Sequence, residues 1–185
     1  MEYFDIVDEF GEPTGETVER GYAHLHGIRH RTSHVWLARK RNNKVEILLQ
    51  MRSSNKDSYP GCYDISSAGH IPAGCGYVES AIRELKEELG IDAEGDELIH
   101  CGDRTIIMDA EFYGKPFHDR QRSRVFFMWC DREEEEFIPQ PEELECVKWM
   151  ELEELISGVK NNHFKHCIVM EELMMLKDAI ENKKP

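Results

Sequence analysis

Residues 69–91 constrain this chain more than any other segment, because they combine a helical apolar pattern with closely spaced carboxylates. Their sequence is GHIPAGCGYVESAIRELKEELGI. At about 100° per residue, apolar side chains recur with the i, i+3, i+4, i+7 spacing of a helix that packs on a core. The segment is therefore predicted to contain an amphipathic helix that ends at Gly90, a residue type favoured in left-handed helix caps. The predicted apolar face consists of Val78, Ala81, Ile82, Leu85 and Leu89.

A neighbouring face of this helix carries three glutamates, Glu84, Glu87 and Glu88. Their i, i+3, i+4 spacing brings them within reach of one ion, and their like charges repel by roughly a few tenths of a kcal/mol per pair. Mg²⁺ or Mn²⁺ would neutralise them, since hard cations take oxygen ligands and are often shared with substrate phosphates. Gly69 and Gly74 would let the preceding loop approach the metal without an intervening side chain. The sequence thus predicts a magnesium or manganese site.

The same segment resembles the signature of the Nudix hydrolases, which runs Gly, five residues, Glu, seven residues, Arg-Glu-hydrophobic-X-Glu-Glu-X-Gly-hydrophobic. One position departs from this pattern, because Cys75 replaces the first glutamate. In the family that glutamate supports the site, often by pairing with the arginine. We expect Glu79, one turn before Arg83, to take over the pairing. The positions that match are Gly69, Arg83, Glu84, Leu85, Glu87, Glu88, Gly90 and Ile91.

The resemblance implies an α/β fold, namely a Nudix-type α/β/α sandwich with a mixed β-sheet between helices. It also implies a Mg²⁺- or Mn²⁺-dependent hydrolase of a diphosphate linkage in a small organic substrate, of nucleoside diphosphate type or similar. Glu84, Glu87 and Glu88 would hold the metal with the Gly69 carbonyl. Arg83, Glu84 and Glu87 would be the catalytic residues.

The sequence does not decide which residue is the general base. Glu87 is one candidate, and in some Nudix members a glutamate outside the signature serves. The acidic loop at residues 139–145 offers three such carboxylates, Glu142, Glu143 and Glu145.

The flanking segments DIVDEFGEPTG, HRTSHVWL and YDISSAGH look like the Nudix branch that is similar to isopentenyl-diphosphate isomerase. That isomerase needs a catalytic cysteine just before the signature Gly-His, where this chain has Ala68. Without the thiol its protonation chemistry lacks an acid-base partner, so we favour hydrolysis over isomerisation. A non-catalytic diphosphate-binding domain is the other alternative, motivated by Cys75.

Basic side chains outside the signature are candidates for binding an anionic substrate. Arg52 and Lys56 lie in a long loop, a frequent place for binding residues. Arg122 and Arg124 share one face of a predicted strand by its period of two, and paired guanidinium groups suit phosphate. Solvated surface charge is the alternative in each case. His70, within the signature, is a further candidate.

Four histidines lie close together near the N-terminus, at positions 24, 26, 30 and 34. No cysteine accompanies them, so we favour structural histidines with satisfied hydrogen bonds over metal ligands. His30 is the best candidate of the four for contacting substrate or the wall of the site.

Composition excludes several classes of function. A formal net charge of −14 disfavours nucleic-acid binding, which needs clustered Lys and Arg. The chain has no apolar run of membrane-spanning length and an acidic start unlike a signal peptide, so we expect a cytoplasmic protein that does not enter a membrane. Six cysteines without zinc-ligand spacing indicate reduced thiols. The acidic run at residues 131–136 is predicted to be a solvated turn.

We expect one domain over residues 1–185, with residues 1–28 as an N-terminal extension made of a hairpin and a short helix. The hairpin could serve as a lid or as a dimer contact. A homodimer is therefore one of the possible oligomeric states. Strands are predicted at residues 32–40, 44–50, 97–109, 121–130 and 146–150. Helices are predicted at residues 151–157 and 164–182, the latter with a core stripe of Val169, Leu173, Leu176 and Ile180.

Overall fold

The structure is a computed structural model that describes residues 1–56, 58–112 and 114–182 of the chain. It begins with an antiparallel pair of strands, β1 (Tyr3–Val7) and β2 (Pro13–Glu19), as the alternating pattern predicts. Helix α1 (Arg20–His26) follows directly and ends at Gly27, whose φ of 66° is the left-handed cap conformation. This N-terminal unit has its own small apolar cluster, made of Phe4, Val18 and Ala23.

A mixed sheet of seven strands forms the centre of the molecule. The seven strands are β3 (His30–Arg41), β4 (Lys44–Arg52), β5 (Tyr63–Asp64), β6 (Ser67–His70), β7 (Ile99–Phe112), β8 (Lys115–Trp129) and β9 (Leu144–Glu151). Strand β3 pairs in parallel with β8 along one edge, and along its other edge it pairs in antiparallel orientation with β6 and then with β4. Strand β7 pairs with β8, and β5 and β9 pair with β4.

Helices cover both faces of this sheet. Helix α2 (Tyr77–Leu89) packs Leu85 and Leu89 against Val35 and Leu37 of β3. Helices α3 (Leu152–Asn161) and α4 (Met170–Asn182) lie on the opposite face, where they bury the next residues of β3. Because successive side chains of β3 point to opposite faces of the sheet, this strand contributes to the cores on both faces. The α/β/α sandwich with a mixed sheet is confirmed, and none of the helices in the described part of the chain is long and apolar enough to cross a membrane.

The last helix begins later than predicted. Residues 164–169 do not continue it because their backbone pairs with β5, where Tyr63 donates to the Lys165 carbonyl at 2.9 Å and accepts from the Cys167 amide at 3.0 Å. Val169 is consequently 45% exposed and does not belong to the core stripe. Val78, at the start of α2, is likewise exposed.

The acidic side chains at residues 131–136 are exposed, as predicted for a solvated turn, and contacts with the sheet order the run. It contains a short 3₁₀ helix (Glu134–Glu136) and lies against the sheet. Arg39 donates to Glu133 at 2.9 Å, and the amide of Trp149 donates to Glu134 at 2.7 Å. The negative charges of this run are therefore used to attach it to β3 and β9.

Candidate active site

The end of strand β6 and the middle of helix α2 approach each other at Gly69 and Glu84. A Cβ atom at position 69 would overlap the Glu84 carboxyl, so only glycine fits there. This proximity places the Gly69 backbone beside Glu84, one of the predicted metal ligands, as expected from the sequence.

Glu84 is held by its neighbour Arg83. The Arg83 guanidinium donates to Glu84 Oε1 at 2.5 Å and to the His70 carbonyl at 3.2 Å. Burial raises the pKa of Glu84, and the ion pair with Arg83 opposes this shift. Glu87 lies on the open side, with 55% of its side chain exposed and its carboxyl 3.8 Å from Arg83 Nε. Arg83 therefore bridges the strand and both carboxylates.

Glu88 is the buried member of the three, with 6% of its surface exposed. Its Oε2 accepts a hydrogen bond from the Ala68 amide at 3.3 Å. Burial raises the pKa of this carboxyl to about 8, and the nearby negative charges of Glu84 and Glu143 act in the same direction. A carboxylate in this position needs a cation to be charged at neutral pH.

The predicted pairing of Glu79 with Arg83 is wrong. Glu79 is the third residue of α2 and accepts instead from the Gly76 amide at 3.3 Å, which caps the helix. Cys75, at the position of the missing glutamate, offers its backbone carbonyl to Arg31 at 2.9 Å. The orienting role of that glutamate is therefore not taken over by Glu79, and Arg83 is oriented by Glu84 and the His70 carbonyl.

The acidic loop before β9 brings Glu143 to the site. Its carboxylate forms an ion pair with Lys56, and it lies close enough to Glu88 to raise the pKa of that residue. Glu145 accepts from the Ser54 amide at 2.9 Å. Of the three glutamates predicted for this loop, the contacts thus place Glu143 nearest the signature carboxylates, and Lys56 with it.

Arg52 is bound within the protein. It donates to the Asp64 carboxylate and to the backbone carbonyl and hydroxyl of Ser58, each at 3.1 Å. These contacts organise the loop after β4 and leave its guanidinium less available to a substrate than the ammonium of Lys56.

Arg122 and Arg124 share the sheet face on which α2 lies, but at the start of this helix. Arg124 binds both oxygens of Asp103 at 2.8 and 2.9 Å, and its guanidinium lies over the Tyr77 ring at 4.3 Å. Arg122 donates to the Thr105 hydroxyl at 3.3 Å. Because Tyr77 is seven residues before Glu84 and ten before Glu87 in the helix, the two arginines lie about 10–15 Å along the helix from these carboxylates.

His30 is fully buried and stacks on Phe4 with ring centroids 4.8 Å apart. A substrate could not reach it without displacing Phe4. His70 also stacks on Phe4, with ring centroids 4.8 Å apart, and its ring lies 5.2 Å from that of His30, while its backbone carbonyl accepts from Arg83. Neither ring lies in the carboxylate site.

Of the four N-terminal histidines, the expectation of satisfied hydrogen bonds holds for His34 and is wrong for the Nε2 atoms of His24 and His30. His34 contacts both carboxylate oxygens of Glu172 at 3.0 Å. By contrast, the buried Nε2 atoms of His24, His30 and His70 have no hydrogen-bond partner among the described residues. His24 and His30 come from one N-terminal segment, and His70 joins them from the end of β6, which no local spacing motif indicates.

An open cleft of about 390 Å³ lies beside the exposed side of α2. Arg83, Lys86 and Glu87 line it together with Ile82 and Ile91. The cleft therefore combines apolar side chains with two cations and four carboxylates, of which Glu87 belongs to the signature and Glu79, Asp92 and Glu94 do not.

Several known proteins are similar to this chain. It is 38% identical over 156 residues to Nudix hydrolase 3 of Arabidopsis thaliana, which covers 83% of this chain and 20% of that protein. The chain thus spans about a fifth of that relative's length. It is 35% identical over 160 residues to an uncharacterized Nudix hydrolase of Clostridium acetobutylicum, covering 86% of this chain and 75% of that protein. The isopentenyl-diphosphate Delta-isomerase of Corynebacterium diphtheriae is 24% identical over 171 residues, with 89% and 86% coverage.

Solved structures share the fold. The Deinococcus radiodurans protein DR0079 superimposes with a TM-score of 0.67 at 18% identity, covering 95% of this chain and 98% of that one. The NUDIX domain of Shewanella oneidensis NrtR, complexed with ADP ribose, gives a TM-score of 0.58 at 14% identity, with 82% and 86% coverage. Residues 29–172 match the NUDIX domain itself, which includes the whole carboxylate site. The chain belongs to the Nudix hydrolase family.

Proposed function

We propose that this protein is a divalent-metal-dependent hydrolase that cleaves a diphosphate linkage in a small organic substrate. The observation that supports the proposal is one helix face that carries Glu84, Glu87 and Glu88, where Glu84 lies against the Gly69 backbone and is bound by Arg83 at 2.5 Å. Three carboxylates at this spacing repel one another unless a cation joins them.

The donor set fits Mg²⁺ or Mn²⁺. Glu88 is buried, and burial is the main reason why its pKa is raised to about 8. A cation beside this carboxylate would stabilise its ionised form. Glu84 is also partly buried, and all these donors are oxygens, the ligands that both ions prefer. Glu84, Glu87, Glu88 and the Gly69 carbonyl would hold the metal. When bound, it would neutralise phosphate oxygens and acidify a water molecule.

The protein's own side chains would then divide the remaining tasks. Arg83 orients Glu84 and draws Glu87 toward the same point. Lys56 would offset part of the negative charge that repels an anionic substrate from Glu143 and the signature glutamates. Either Glu87 or Glu143 would accept the proton of the attacking water, and the exposed surface of both carboxylates supports this.

The test is a phosphate-release screen on the purified chain over nucleoside diphosphate derivatives including ADP ribose, dinucleotides, prenyl diphosphates and thiamine diphosphate. It is run with Mg²⁺ and then with Mn²⁺. We expect metal-dependent turnover of at least one class and its loss in Glu88→Gln. Glu79→Gln is the matched control, because it lies on the same helix outside the carboxylate cluster and should keep activity within about twofold. Turnover unchanged by Glu88→Gln would refute the mechanism.

Isomerisation is the second candidate, favoured by the Corynebacterium diphtheriae relative. At position 68, just before the signature glycine, the side chain is an alanine methyl packed against the core of the α3–α4 face. It cannot exchange a proton. Incubation with isopentenyl diphosphate should therefore give no dimethylallyl diphosphate, and appreciable product would favour the isomerase alternative. A non-catalytic diphosphate-binding role is tested by the same screen, since it predicts ligand-induced thermal stabilisation without turnover.

A further inference from the structure

The loop between β6 and α2 is held from outside by the N-terminal layer. Residues 71–76 join the end of β6, where Gly69 contacts Glu84, to the start of the helix that carries the three glutamates. One backbone hydrogen bond closes this loop on itself, from the Cys75 amide to the Pro72 carbonyl at 3.0 Å. Further hydrogen bonds attach it to β1 and β3, and these contacts decide where the loop lies.

Strand β1 forms the first of these attachments. The Ala73 amide donates to the Tyr3 carbonyl at 2.8 Å, and Phe4 and Pro72 form an isolated antiparallel β-bridge. The side chain of Phe4 is fully buried. The N-terminal strand therefore pairs briefly with the signature loop and fixes the middle of this loop against the N-terminal layer.

The side chain of Asp5 continues this attachment. Its Oδ2 atom accepts from the Gly74 amide at 3.0 Å and from the Arg31 guanidinium at 2.8 Å. Arg31 also donates to the Cys75 carbonyl at 2.9 Å. Both side chains are largely buried, with 14% of Asp5 and 9% of Arg31 exposed. Since charge-assisted hydrogen bonds are stronger than neutral ones, this pair, which we call the Asp5–Arg31 clamp, holds two consecutive residues of the loop.

Strand β3 carries the attachment on to the helix. The Arg31 guanidinium lies 5.4 Å from the ring centroid of Tyr77, the first residue of α2. Ser33, two residues further along β3, donates from its hydroxyl to the Tyr77 carbonyl at 2.7 Å. Because a helix is a rigid element, the position of its first turn determines where Glu84 lies relative to the end of β6.

We propose that Asp5 and Arg31 are positioning residues of the active site, which fix the signature loop in place of the glutamate that Cys75 replaces. A glutamate at position 75 would support the site from within the loop, whereas here the support comes from β1 and β3. The clamp acts through the loop and the start of α2, and it supplies no metal ligand. Its effect on turnover rests on the proposed hydrolase function, but its effect on the loop does not.

The first test is amide hydrogen exchange of the whole chain without metal, followed by NMR with isotope-labelled glycine. We expect the Gly74 amide to exchange at least about tenfold faster in Asp5→Ala, because its acceptor is removed. Asp8→Ala is the matched control. Asp8 accepts from the amides of Phe10 and Glu12 at 2.8 and 3.0 Å, and the hydrogen bonds of its side chain among the described residues stay within that hairpin turn.

Asp8→Ala should leave the exchange rate of Gly74 at the wild-type value. Equal rates for Gly74 in Asp5→Ala and wild type would overturn the proposal, whether or not a substrate is known. If Asp5→Ala folds poorly, Asp5→Asn takes its place in every measurement, because it keeps the shape of the side chain and removes the charge that binds Arg31.

The second test is steady-state kinetics on a substrate from the phosphate-release screen. Asp5→Ala should lower kcat at least about tenfold and keep KM within about twofold, because the carboxylates are displaced while the substrate-binding side chains stay. An ion pair that only stabilised the N-terminal layer would lower the melting temperature and leave kcat unchanged, and this result would overturn the proposal.

The third test combines Asp5→Ala with Cys75→Glu. If the clamp does what a carboxylate at position 75 would do, Cys75→Glu should change wild-type kcat by less than about twofold and raise that of Asp5→Ala at least about fivefold. Additive effects of the two substitutions would overturn the proposal. A wild-type chain without turnover but with a slowly exchanging Gly74 amide, accelerated in Asp5→Ala, would refute the hydrolase function and still support the clamp.

Discussion

Gly69 lies so close to Glu84 that any side chain at position 69 would overlap the Glu84 carboxyl. The contact joins the end of β6 to the middle of α2, and it accounts for a glycine placed fifteen residues before the first of the three signature glutamates. The backbone therefore approaches the carboxylates without a side chain in between, and substitution should displace the carboxyl and not merely strain the turn.

Gly69→Ala should reduce metal-dependent turnover by at least about tenfold, because moving a catalytic group by 1 Å costs up to about 100-fold. Overpacking should also lower the free energy of unfolding by about 1–3 kcal/mol. Steady-state kinetics and urea denaturation measure the two effects. Gly76→Ala is the control, since an added Cβ meets nothing within 4 Å there. Equal activity of the two variants would contradict the close approach.

Glu88 should make the metal-free protein less stable as pH rises. Its folded pKa of about 8 lies above the 4.5 of an ordinary glutamate, so the folded state retains a proton that the unfolded state has lost. The free energy of unfolding should therefore fall between about pH 4.5 and 8, by an amount on the order of a few kcal/mol. Melting curves with EDTA test this. Glu88→Gln should flatten the fall and Mg²⁺ should reverse it, whereas a wild-type curve as flat as that of the variant would refute the assignment.

Local sequence patterns were sufficient for the core of the fold and for the glutamate set. The apolar period of α2 places Leu85 and Leu89 in the core and leaves the neighbouring carboxylates together, because both follow from helix geometry alone. The same reasoning could not decide between two local partners for Glu79. Its position near the helix N-terminus allowed capping as well as pairing with Arg83, and capping is what the structure has.

Features that depend on contacts between distant segments could not be predicted from local sequence patterns. Lys165 and Cys167 pair with Tyr63, a partner far away in the chain, so the helix predicted from residue 164 onward begins only at Met170. The convergence of His24, His30 and His70 likewise requires the strand order of the sheet. No spacing rule groups residues from three elements, although the rings of two of them contact the same Phe4.

Glu172 should be essential to stability and not to catalysis. It is buried on the α4 side, where it accepts from Trp36 at 3.0 Å and Arg104 at 2.7 Å and contacts His34. Glu172→Gln leaves buried cations with weaker partners and should cost about 3–5 kcal/mol in urea denaturation. Glu171→Gln, its exposed neighbour, should change stability by at most about 0.5 kcal/mol.

The same buried contacts of Glu172 should make the protein less stable at low pH. His34 and Arg104 hold the pKa of Glu172 at about 2 against the opposing effect of burial, whereas an unfolded glutamate titrates near 4.5. The stability from this group is thus present above pH 4.5 and is lost as pH falls toward 2. Melting curves across this range should show a smaller acid loss in Glu172→Gln than in wild type, and parallel curves would contradict the assignment.

Substitution of Lys56 should weaken substrate binding, whereas substitution of Arg124 should lower only the stability of the fold. Lys56 pairs with Glu143 beside the carboxylate site, so Lys56→Met exposes an uncompensated negative charge and should raise KM by about tenfold with little change in kcat. Arg124 binds Asp103 and covers Tyr77 at the far end of α2. Arg124→Met should leave KM unchanged and lower the free energy of unfolding by about 1–3 kcal/mol. Kinetics and denaturation of both variants test this, and a higher KM in Arg124→Met alone would place the substrate at the helix start instead.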